Sequence, residues 1–504
     1  MSHCCTPTKW KDTKLIFIPK PGKSAYNQAK AYRPISLSNY LLKTLERLAG
    51  WKMKIAIKDN PVHSRQHGFR TDRSTETAIS DAANYIEKNI LKRKFCIGVL
   101  LDIQAAFDSI KPHKIKAALL KHGGDKDMVN WYYNYLIHRN LYTCVSGTSL
   151  CFRTSTGFPQ GGVNSADFWI IVFNPALEII NKNSVRGDGF ADDLLVMRGG
   201  YSLKTAVKDL QTTLDELILW GKEYGLKFNP KKTIAVIFHR RKINPDRMPS
   251  QLRMNGIQIP FSTEMKYLGV IMDNKLNWTT HFNQVMKTCK TTLLHTSNII
   301  RKKWGPKTML SKWLFTGIIR PKITYASLVW GHTMTQKTKI NKLRKLNRLA
   351  AITITPVRQS TPTLGLEVIY DLLPLHLFIS KTALASKDRL KEVLDLDWEG
   401  TNKSGKAKGH LKYWGDLQEK MSLKDSVTDS CREYIYKKDY KINTDSYHSD
   451  SSKHLCKSQI TVYTDGSRTD TGVGCGFVIY YKGKNTYEEM DTLNKECTVY
   501  QAEL

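Results

Sequence analysis

The chain has 504 residues, of which 41% are hydrophobic and 24% are charged, a composition typical of a globular protein with about two to four domains. The best candidate for a membrane span, residues 168–180, is interrupted by Asn174 and Pro175 and is too short to cross a bilayer, so no membrane partner is expected. The N-terminus has no apolar signal core, which argues against secretion. The formal net charge of +33 favours a nucleic-acid partner, with a solvated basic surface as the alternative.

The cysteines indicate neither a disulfide framework nor a zinc site. The chain has 10 cysteines, but they form no Cys-x-x-Cys pair and no ladder of cysteine and histidine ligands. This pattern is typical of a reducing compartment. We therefore expect an intracellular protein.

The first half of the chain predicts a mixture of strands and helices. Ser74 is a suitable N-cap for one helix, and Gly225 ends another. The predicted elements are strands at 14–19 and 95–103, and helices from about residue 40, at 73–93, at 162–182 and at 203–225.

The second half predicts two strand pairs, near 234–239 and 266–272, followed by helices from 281 to 393. Residues 274–366 include 17 lysines and arginines and no acidic residue. Within them, leucines at positions 343, 346 and 349 recur between basic side chains, which predicts a helix with an apolar underside and a cationic outer face. We interpret this region as a phosphate-binding surface; a basic helix that simply faces water is the alternative.

Three aspartates stand where the apolar pattern predicts burial. Asp192 and Asp193 interrupt the apolar stretch GFADDLLVM, and Asp102 ends an apolar strand in GVLLDIQAAFDSI. Buried carboxylates are costly, and like charges raise each other's pKa. A divalent cation resolves this, since Mg²⁺ binds one or two carboxylates together with substrate phosphates. We therefore predict that these aspartates face a metal; a plain turn is the alternative for the Asp-Asp pair.

Several blocks in a fixed order extend this interpretation. GFADDLLVM resembles the Tyr/Phe-Ala-Asp-Asp hairpin of reverse transcriptases, and LLDIQAAFDSI resembles the first aspartate block of that family. The other blocks, in chain order, are KLIFIPKPGK, AYRPISLSNYLLKTLERL, HSRQHGFRTDRSTETA, GFPQGGVNS, GLKFNPKKT and MKYLGVIMDNKLNW. Together they resemble the reverse transcriptases of non-LTR (LINE-type) retrotransposons, particularly the jockey/I-element-like insect group, over roughly residues 10–380.

The resemblance implies an α+β right-hand polymerase with fingers, a palm built on an antiparallel sheet and a helical thumb. The implied domains are N-terminally incomplete fingers at 1–95, a palm with embedded finger elements at 96–272, a basic helical thumb at 273–395, a polar linker at 396–458 and a truncated ribonuclease H-like α/β segment at 459–504. The implied reaction is nucleotidyl transfer from a dNTP to a primer 3′-OH on an RNA template, with two Mg²⁺ ions about 3.5–4 Å apart, or Mn²⁺ in their place. A DNA primer or target and a location in cytoplasm and nucleus are also implied.

The resemblance also assigns roles at the reaction centre. Asp102 and Asp192 would hold the metals, with Asp193 as a further carboxylate. Lys232 in NPKKT would protonate the leaving pyrophosphate. Phe107 would block a ribose 2′-OH, or alternatively serve as a core aromatic, while Asp108 is expected to make local bonds only.

Other implied contacts surround that centre. Lys20 and Arg33 would bind the triphosphate, a task suited to cationic donors; ordinary surface charge is the alternative. In PQGG, Gln160 would contact the template or the incoming base and Gly161 would let backbone approach closely, unless this is a plain loop. The primer strand would be gripped by the hairpin residues Tyr267, Leu268 and Gly269, for which a purely structural hairpin is the alternative.

The C-terminal segment carries a second resemblance, to the start of a ribonuclease H domain. VYTDGSRTDTGVGCGFVIYY and YQAEL supply Asp465 and Glu503 as its first two metal carboxylates. That chemistry needs a further aspartate on elements past Leu504, so we expect no ribonuclease H activity from this chain.

Two alternatives to a working polymerase stay open. Ser165, Ala166 and Asp167 replace a more usual Ser-Pro-Leu and introduce a charge where apolar packing is common in the family, so the chain could be a catalytically inactive, nucleic-acid-binding relic. A relative of the intron maturases is disfavoured by the trailing ribonuclease H resemblance. The sequence does not specify an oligomeric state or a target site.

Overall fold

The computed structural model describes two compact units, which divide after Trp414. The described residues are 6–22, 25–145, 147–240, 251–300, 308–354, 357–394, 409–421, 460–468, 473–481 and 484–493. No helix within these ranges combines the length and the apolar composition that a membrane crossing needs.

Strands and helices alternate through the first unit. Its strands are β1 (Asp12–Pro19), β2 (Tyr32–Leu37), β3 (Phe95–Gln104), β4 (Arg139–Val145), β5 (Thr148–Thr154), β6 (Arg186–Phe190), β7 (Asp193–Gly200), β8 (Lys227–Phe228), β9 (Ile234–Phe238), β10 (Arg253–Met254), β11 (Ile257–Gln258), β12 (Phe261–Ser262), β13 (Glu264–Tyr267) and β14 (Val270–Asp273). Its helices are α1 (Tyr40–Asp59), α2 (Thr75–Leu91), α3 (Ala106–Ser109), α4 (Pro112–Lys121), α5 (Lys126–Leu136), α6 (Ser165–Lys182), α7 (Leu203–Tyr224), α8 (Thr279–Ile300), α9 (Thr308–Leu314), α10 (Arg320–Thr324), α11 (Ser327–Trp330), α12 (Lys337–Ile354), α13 (Thr363–Ile369) and α14 (Leu375–Arg389). Helix α15 (His410–Lys420) crosses the boundary between the units.

The palm is a sheet with strand order β12-β9-β3-β7-β6, to which β8 adds by pairing with β3. Its central strand β3 is the apolar run predicted at 95–103, and it pairs antiparallel with β7 and β9. Apolar residues on both faces of a strand require cover on both faces. Helices α6 and α7 contribute to the core on one face, while α2 and the hairpin β13–β14 contribute to the core on the other. The sequence boundary at residue 95 assigns α2 to the fingers, whereas its buried face belongs to this palm core.

The predicted helix boundaries follow from local capping chemistry. Ser74 caps α2: its hydroxyl accepts a hydrogen bond from the Thr77 backbone, and the Thr77 hydroxyl accepts one from the Ser74 backbone. Gly225 ends α7 with φ of 84°, a conformation that glycine adopts without steric cost.

The finger sheet has the strand order β2-β1-β4-β5. The pair β1–β4 is parallel, and the other neighbours are antiparallel. This sheet carries Lys20 just after β1 and Arg33 within β2. The finger sheet therefore carries these two cationic side chains on strands that are separate from the palm sheet.

The acid-free region folds mainly as helices, as predicted. In α12, Leu343 and Leu346 are buried, whereas Lys342, Arg344 and Lys345 are exposed. The leucine spacing therefore produces the expected apolar underside and cationic outer face. The basic run at 301–307 lies outside the described residues.

The prediction of a polar linker at 396–458 is wrong for residues 410–414. Helix α15 begins there, and Trp414 is fully buried with its indole Nε1 donating to the carbonyl of Leu328 at 2.6 Å. His410 is also buried: its Nδ1 lies 2.8 Å from Glu87 and its Nε2 lies 2.9 Å from the hydroxyl of Ser80. Polar composition hid this helix, because a few buried contacts to α2 and α11 hold it. Residues 396–408 and 422–458 lie outside the described residues.

The second unit contains β15 (Ile460–Arg468), β16 (Val473–Tyr481) and β17 (Lys484–Leu493). They form an antiparallel sheet in the order β15-β16-β17. The segment predicted at 459–504 as a truncated ribonuclease H-like α/β unit thus has three strands within its described residues. Asp465 lies on β15 opposite Gly476 with an exposed side chain, whereas Glu503 lies outside the described residues.

The buried Glu87–His410 pair leads to a stability prediction. Burial would raise the pKa of Glu87, but the adjacent imidazole of His410 outweighs it and lowers that pKa. Glu87→Ala would leave His410 buried without its acceptor, so we expect the free energy of unfolding to fall by about 3 kcal/mol. Denaturant titration followed by tryptophan fluorescence measures this change.

Glu223→Ala is the matched control for Glu87→Ala. Glu223 also forms an ion pair, with Lys114, but its side chain is exposed. Its loss should therefore lower the free energy of unfolding by less than about 1 kcal/mol. Equal effects of the two substitutions would show that α15 does not depend on the buried pair.

Candidate active site

The register of the palm strands brings the three predicted aspartates together. Asp102 at the end of β3 is the cross-strand partner of Asp193 at the start of β7. Cross-strand partners project to the same face with Cβ atoms about 4.5–5.5 Å apart. Asp192 occupies the turn between Phe190 and Asp193, which are themselves partners. Residues 102, 192 and 193 therefore lie together at one end of the palm sheet, as a shared metal site would require.

The turn that carries Asp192 is held from several sides. Ala191 has φ of 54°, a strained conformation for a residue with a side chain. The indole Nε1 of Trp169 donates to the carbonyl of Ala191 at 2.6 Å. Gly68 lies against the backbone of Ala191 so closely that a Cβ at position 68 would clash with its nitrogen. These contacts fix the position of the Asp192 backbone.

Burial, and then repulsion among the carboxylates, raises the pKa of Asp192 and Asp193. Desolvation, followed by the charges of Asp192 and Asp102, raises the pKa of Asp193 to about 6. Desolvation and Asp102 also raise the pKa of Asp192, against the opposing charges of Arg33 and Lys232. The folded protein thus holds these groups close together at an electrostatic cost.

Lys232 and Asn229 offset part of this charge at Asp102. The ammonium of Lys232 lies 3.1 and 3.2 Å from the two carboxylate oxygens of Asp102. Asn229 donates from its side chain to the same carboxylate at 3.3 Å and from its backbone to the Asp102 carbonyl at 2.9 Å. Lys232 therefore lies beside one of the aspartates predicted to hold a metal, and its role as a proton donor stays a prediction.

The carboxylates suit a hard divalent cation. Oxygen donors of this kind are preferred by Mg²⁺, which usually takes one or two protein carboxylates and completes its shell with substrate phosphates and water. A cationic group, the Lys232 ammonium, already lies at Asp102. Across the ranges that the structure describes, no three carboxylate, imidazole or thiol groups are close enough together to enclose a metal by themselves. The donor set therefore fits an ion shared with a substrate rather than one held by the protein alone.

Phe107 belongs to an aromatic cluster beside the carboxylates. Its ring stacks on Trp169 with centroids 5.3 Å apart and meets Phe69 and Phe158 edge-on at 6.3 and 6.2 Å. It is half-buried and packs against the palm core. Phe107 can be both a core aromatic and the residue that blocks a ribose 2′-OH. Its ring packs on Trp169, yet the residue is only half-buried.

The PQGG loop lies between the fingers and α3. Gln160 donates from its side-chain amide to both carboxylate oxygens of Asp108, at 2.9 and 3.0 Å, and its carbonyl accepts from the Ser36 backbone at 2.6 Å. Gly161 has φ of 108°, and a Cβ there would lie 2.8 Å from the Ser36 carbonyl. The side-chain partner of Asp108 is therefore distant in sequence rather than local, and the amide predicted to contact a base is bonded to that carboxylate.

The two predicted triphosphate residues lie in different surroundings. Arg33 is exposed and near enough to Asp192 to lower its pKa. Lys20 donates to the Lys30 carbonyl at 3.1 Å and acts electrostatically on Asp108 rather than on the paired aspartates. Arg33 therefore lies within electrostatic reach of Asp192, while Lys20 lies on the side of the PQGG loop.

The hairpin β13–β14 turns at Leu268 and Gly269. Both residues have positive φ, 45° and 85°, as a two-residue turn of type I′ requires. Tyr325 donates from its hydroxyl to the Leu268 carbonyl at 2.8 Å, and its ring lies against Gly269. The exposed Gly269 and half-buried Leu268 form the accessible tip of this hairpin.

The side chain of Tyr267, one of the three hairpin residues predicted to grip the primer, is not accessible to a bound strand. Tyr267 is 0% exposed and, like Met265, faces the palm core. Alternation along β13 explains this, since Glu264 and Lys266 take the outward positions. Any grip on a strand would have to come from the tip of the hairpin.

Sequence reasoning missed Asn229, Trp169 and Tyr325 as supports of the site. Asn229 stands in the quoted block GLKFNPKKT, so its proximity to Lys232 was a usable signal. Trp169 and Tyr325 contact the turns only through the tertiary fold, and nothing local marks them. Asp167, which departs from the usual family residue, lies in the first turn of α6, where a negative charge is favoured.

Asp193→Asn tests the repulsion directly. A carboxyl whose pKa rises from 3.8 to about 6 on folding destabilises the folded state above that pKa, and the effect disappears below the unfolded value. We expect the variant to be more stable than the parent by about 1–2 kcal/mol at pH 7.5 in EDTA. The difference should approach zero near pH 4, as measured by thermal unfolding.

Mg²⁺ and Asp215→Asn provide the controls for the Asp193 prediction. Saturating Mg²⁺ should stabilise the parent more than Asp193→Asn, because the cation relieves the repulsion only where the charge is present. Asp215 is exposed and accepts only from Gln211, so its substitution should change little at any pH. Lower stability of Asp193→Asn at pH 7.5 in EDTA would refute the electrostatic account.

Comparison with known proteins gives related sequences in mobile elements. The chain is 25% identical over 385 residues to the Retrovirus-related Pol polyprotein from type-1 retrotransposable element R1 of Bradysia coprophila, covering 76% of this chain and 38% of that protein. It is 26% identical over 354 residues to the RNA-directed DNA polymerase from mobile element jockey of Drosophila melanogaster, covering 68% and 37%. The chain thus spans about two-fifths of the length of these curated relatives.

A solved structure and a family model complete the comparison. The apo telomerase of Candida tropicalis is 13% identical, with a TM-score of 0.41, and the match covers 84% of this chain and 67% of that one. The family model described as reverse transcriptase (RNA-dependent DNA polymerase) matches residues 18–272, which include both aspartate blocks, the PQGG loop and the hairpin β13–β14. The resemblance stated from the sequence is confirmed: the chain belongs to the reverse transcriptase family.

Proposed function

We propose that this chain is the RNA-directed DNA polymerase of a non-LTR mobile element. The observation that carries the proposal is the cross-strand pairing of Asp102 with Asp193, with Asp192 in the adjoining turn. Three carboxylates held together at an electrostatic cost are typical of functional sites. Family membership and the mobile-element relatives support the same activity.

The reaction joins a dNTP to the primer end. The primer 3′-hydroxyl gives up its proton to solvent as its oxygen forms a bond to the α-phosphorus, the bond between that phosphorus and the bridging oxygen of the β-phosphate breaks, and pyrophosphate leaves with that electron pair. Asp102 and Asp192 would hold Mg²⁺ together with the substrate phosphates, and the ion would supply Lewis-acid stabilisation of the charge that develops. Asp193 adds negative charge next to Asp102 and Asp192, which strengthens cation binding at neutral pH.

The basic residues of the site handle the triphosphate. Lys232 releases Asp102 when substrate arrives and gives a proton to the leaving pyrophosphate oxygen. Arg33 and Lys20 approach from the finger sheet and bind phosphate oxygens, for which a guanidinium fork and an ammonium are suited. Gln160 exchanges its bond to Asp108 for a contact with the template or the incoming base.

The partners of this reaction are an RNA template, a DNA primer or target, and dNTPs. The exposed lysines and arginine of α12, at 342, 344 and 345, provide a surface for backbone phosphates. The tip of the hairpin at Leu268 and Gly269 lies against the primer strand. Mn²⁺ can replace Mg²⁺, because both accept carboxylate oxygen ligands.

Asp192→Asn tests the catalytic assignment. We expect primer extension on poly(rA)/oligo(dT) with Mg²⁺ to fall by at least about 1,000-fold, since loss of one metal ligand removes several kcal/mol of transition-state stabilisation. Asp215→Asn is the control and should extend normally. Tight binding of the template–primer without extension by the parent chain would instead support an inactive nucleic-acid-binding relic.

Phe107→Val tests the sugar selectivity proposed for the aromatic cluster. The smaller side chain should leave room for a ribose 2′-OH, so we expect the ratio of kcat/KM for dNTP over rNTP to fall by about 10-fold or more, within the range that one pocket contact provides. Phe261→Val, a partly buried phenylalanine on the same core, is the control. Unchanged selectivity in Phe107→Val would leave Phe107 as a packing residue only.

A further inference from the structure

Buried polar side chains continue along the sheet face that carries the carboxylates. Arg186 and Asp188 on β6 are cross-strand partners of Met197 and Leu195, so they share a face with Asp193 further along β7. Asp188 is 0% exposed and Arg186 is 9% exposed. Charged residues this deeply buried need partners to offset their desolvation.

Arg186 and Asp188 are paired with each other and with neighbouring elements. The Nε of Arg186 lies 3.2 and 3.0 Å from the carboxylate oxygens of Asp188. Its guanidinium lies over the Tyr85 ring of α2, 5.1 Å from the centroid, and Arg65 approaches Asp188 at 3.4 Å. This pairing fixes α2 and the loop before it against β6.

Four polar atoms around this pair have no hydrogen-bond partner among the residues that the structure describes. They are His67 Nε2, Asp81 Oδ1, Arg186 Nη2 and the hydroxyl of Tyr267. Each side chain is more than nine-tenths buried, and each unpaired atom would cost about 1–3 kcal/mol. Donors and an acceptor from four different elements are what an ordered buried water satisfies.

Tyr267 connects these atoms to the carboxylate site. Burial, and then the charges of Asp188 and Asp193, raise the pKa of its hydroxyl, while Arg186 acts in the opposite direction. The hydroxyl therefore lies within electrostatic reach of both the buried pair and the active-site carboxylate. We call the group formed by His67, Asp81, Arg186, Asp188 and Tyr267 the polar junction.

The hairpin β13–β14 meets the palm mainly through side chains, with one backbone hydrogen bond at its base, from His239 after β9 to the Asn274 carbonyl at 2.9 Å. In the described residues it forms a two-stranded sheet of its own, and no ladder of backbone hydrogen bonds joins it to the palm sheet. The side chains of Met265 and Tyr267 fasten it to the core on one side, and Tyr325 fastens the tip on the other. An apolar ring would fill the space of Tyr267 without burying an unpaired hydroxyl, so packing alone does not account for a tyrosine here.

We infer that the polar junction, bridged by buried water, positions the hairpin β13–β14 relative to the catalytic turn, with the Tyr267 hydroxyl as the positioning group. The inference rests on the proposed polymerase function. A hairpin set by this hydroxyl holds the primer end at a fixed distance from Asp193 and its neighbours. The junction acts on the primer through the hairpin and touches neither primer nor dNTP.

Tyr267→Phe in the full chain tests the inference, because it removes only the hydroxyl. We expect the apparent KM for template–primer to rise about 3- to 10-fold and primer termination to become more frequent, as a few-fold change corresponds to about 1 kcal/mol of lost positioning. The KM for dNTP should stay within about 2-fold. Steady-state extension and product-length analysis measure these quantities.

Tyr135→Phe is the matched control. Tyr135 is also fully buried with a hydroxyl that lacks a partner among the described residues, but it lies in the other core, with α6 and α7. We expect all kinetic parameters of this variant to match the parent. If Tyr267→Phe matches Tyr135→Phe in primer KM and in termination, the hydroxyl has no positioning role and the inference is overturned.

A second variant separates positioning from folding. Arg186→Lys keeps the charge but loses the forked geometry, and we expect it to raise the primer KM as Tyr267→Phe does. The double variant should show no further rise, because both changes break one junction. Additive effects, or a fall in kcat and melting temperature with unchanged KM, would reduce both residues to structural roles.

Direct binding distinguishes failure of the inference from failure of the proposed function. Fluorescence anisotropy with a labelled template–primer measures affinity without catalysis. A parent chain that binds but does not extend would refute the polymerase assignment, while weaker binding by Tyr267→Phe than by Tyr135→Phe would still support the junction. Equal binding by both variants would count against it.

Discussion

The mutual repulsion of three carboxylates is the constraint on which the site depends. Asp102, Asp192 and Asp193 are brought together by strand register, because the ten-residue strand β3 and the eight-residue strand β7 pair so that Asp102 lies opposite Asp193. A shift of one residue would exchange the side chains that face the two cores and would take Asp102 out of register with Asp193. The burial energy of the palm strands thus keeps like charges near one another, and a bound cation would relieve their repulsion.

The surrounding structure keeps this strained arrangement from relaxing. Ala191 has a positive φ, and a change to a relaxed φ would move the turn. The hydrogen bond from the Trp169 indole and the close backbone of Gly68 oppose that movement. Trp169 also stacks on Phe107. Trp169 on α6 therefore supports both the turn that carries Asp192 and the ring of Phe107, which is proposed to meet the sugar. The positions of that turn and of that ring thus depend on the same side chain.

The positions of the three candidate aspartates and most elements were predictable, whereas contacts between distant segments were not. Asp102 and the Asp192–Asp193 pair stand out because charge interrupts a local apolar pattern, and Ser74 and Gly225 mark helix ends by local chemistry. The inward side chain of Tyr267 and the buried Trp414 depend on partners far away in sequence, such as Leu328 for the indole of Trp414. Composition around position 414 is polar, so a single buried anchor gave no periodic signal.

The polar contacts of the site fall into two groups according to their exposure. The pairs Lys232–Asp102 and Gln160–Asp108 are accessible to solvent, and exposed pairs contribute only about 0–1 kcal/mol. A triphosphate or a base can therefore replace them at little cost. Arg186–Asp188 is almost fully buried, and breaking such a pair costs about 3–5 kcal/mol. The buried pair Arg186–Asp188 therefore stays intact when ligands displace the exposed pairs. In the proposed reaction, substrates would enter the site without moving the sheet that aligns the carboxylates.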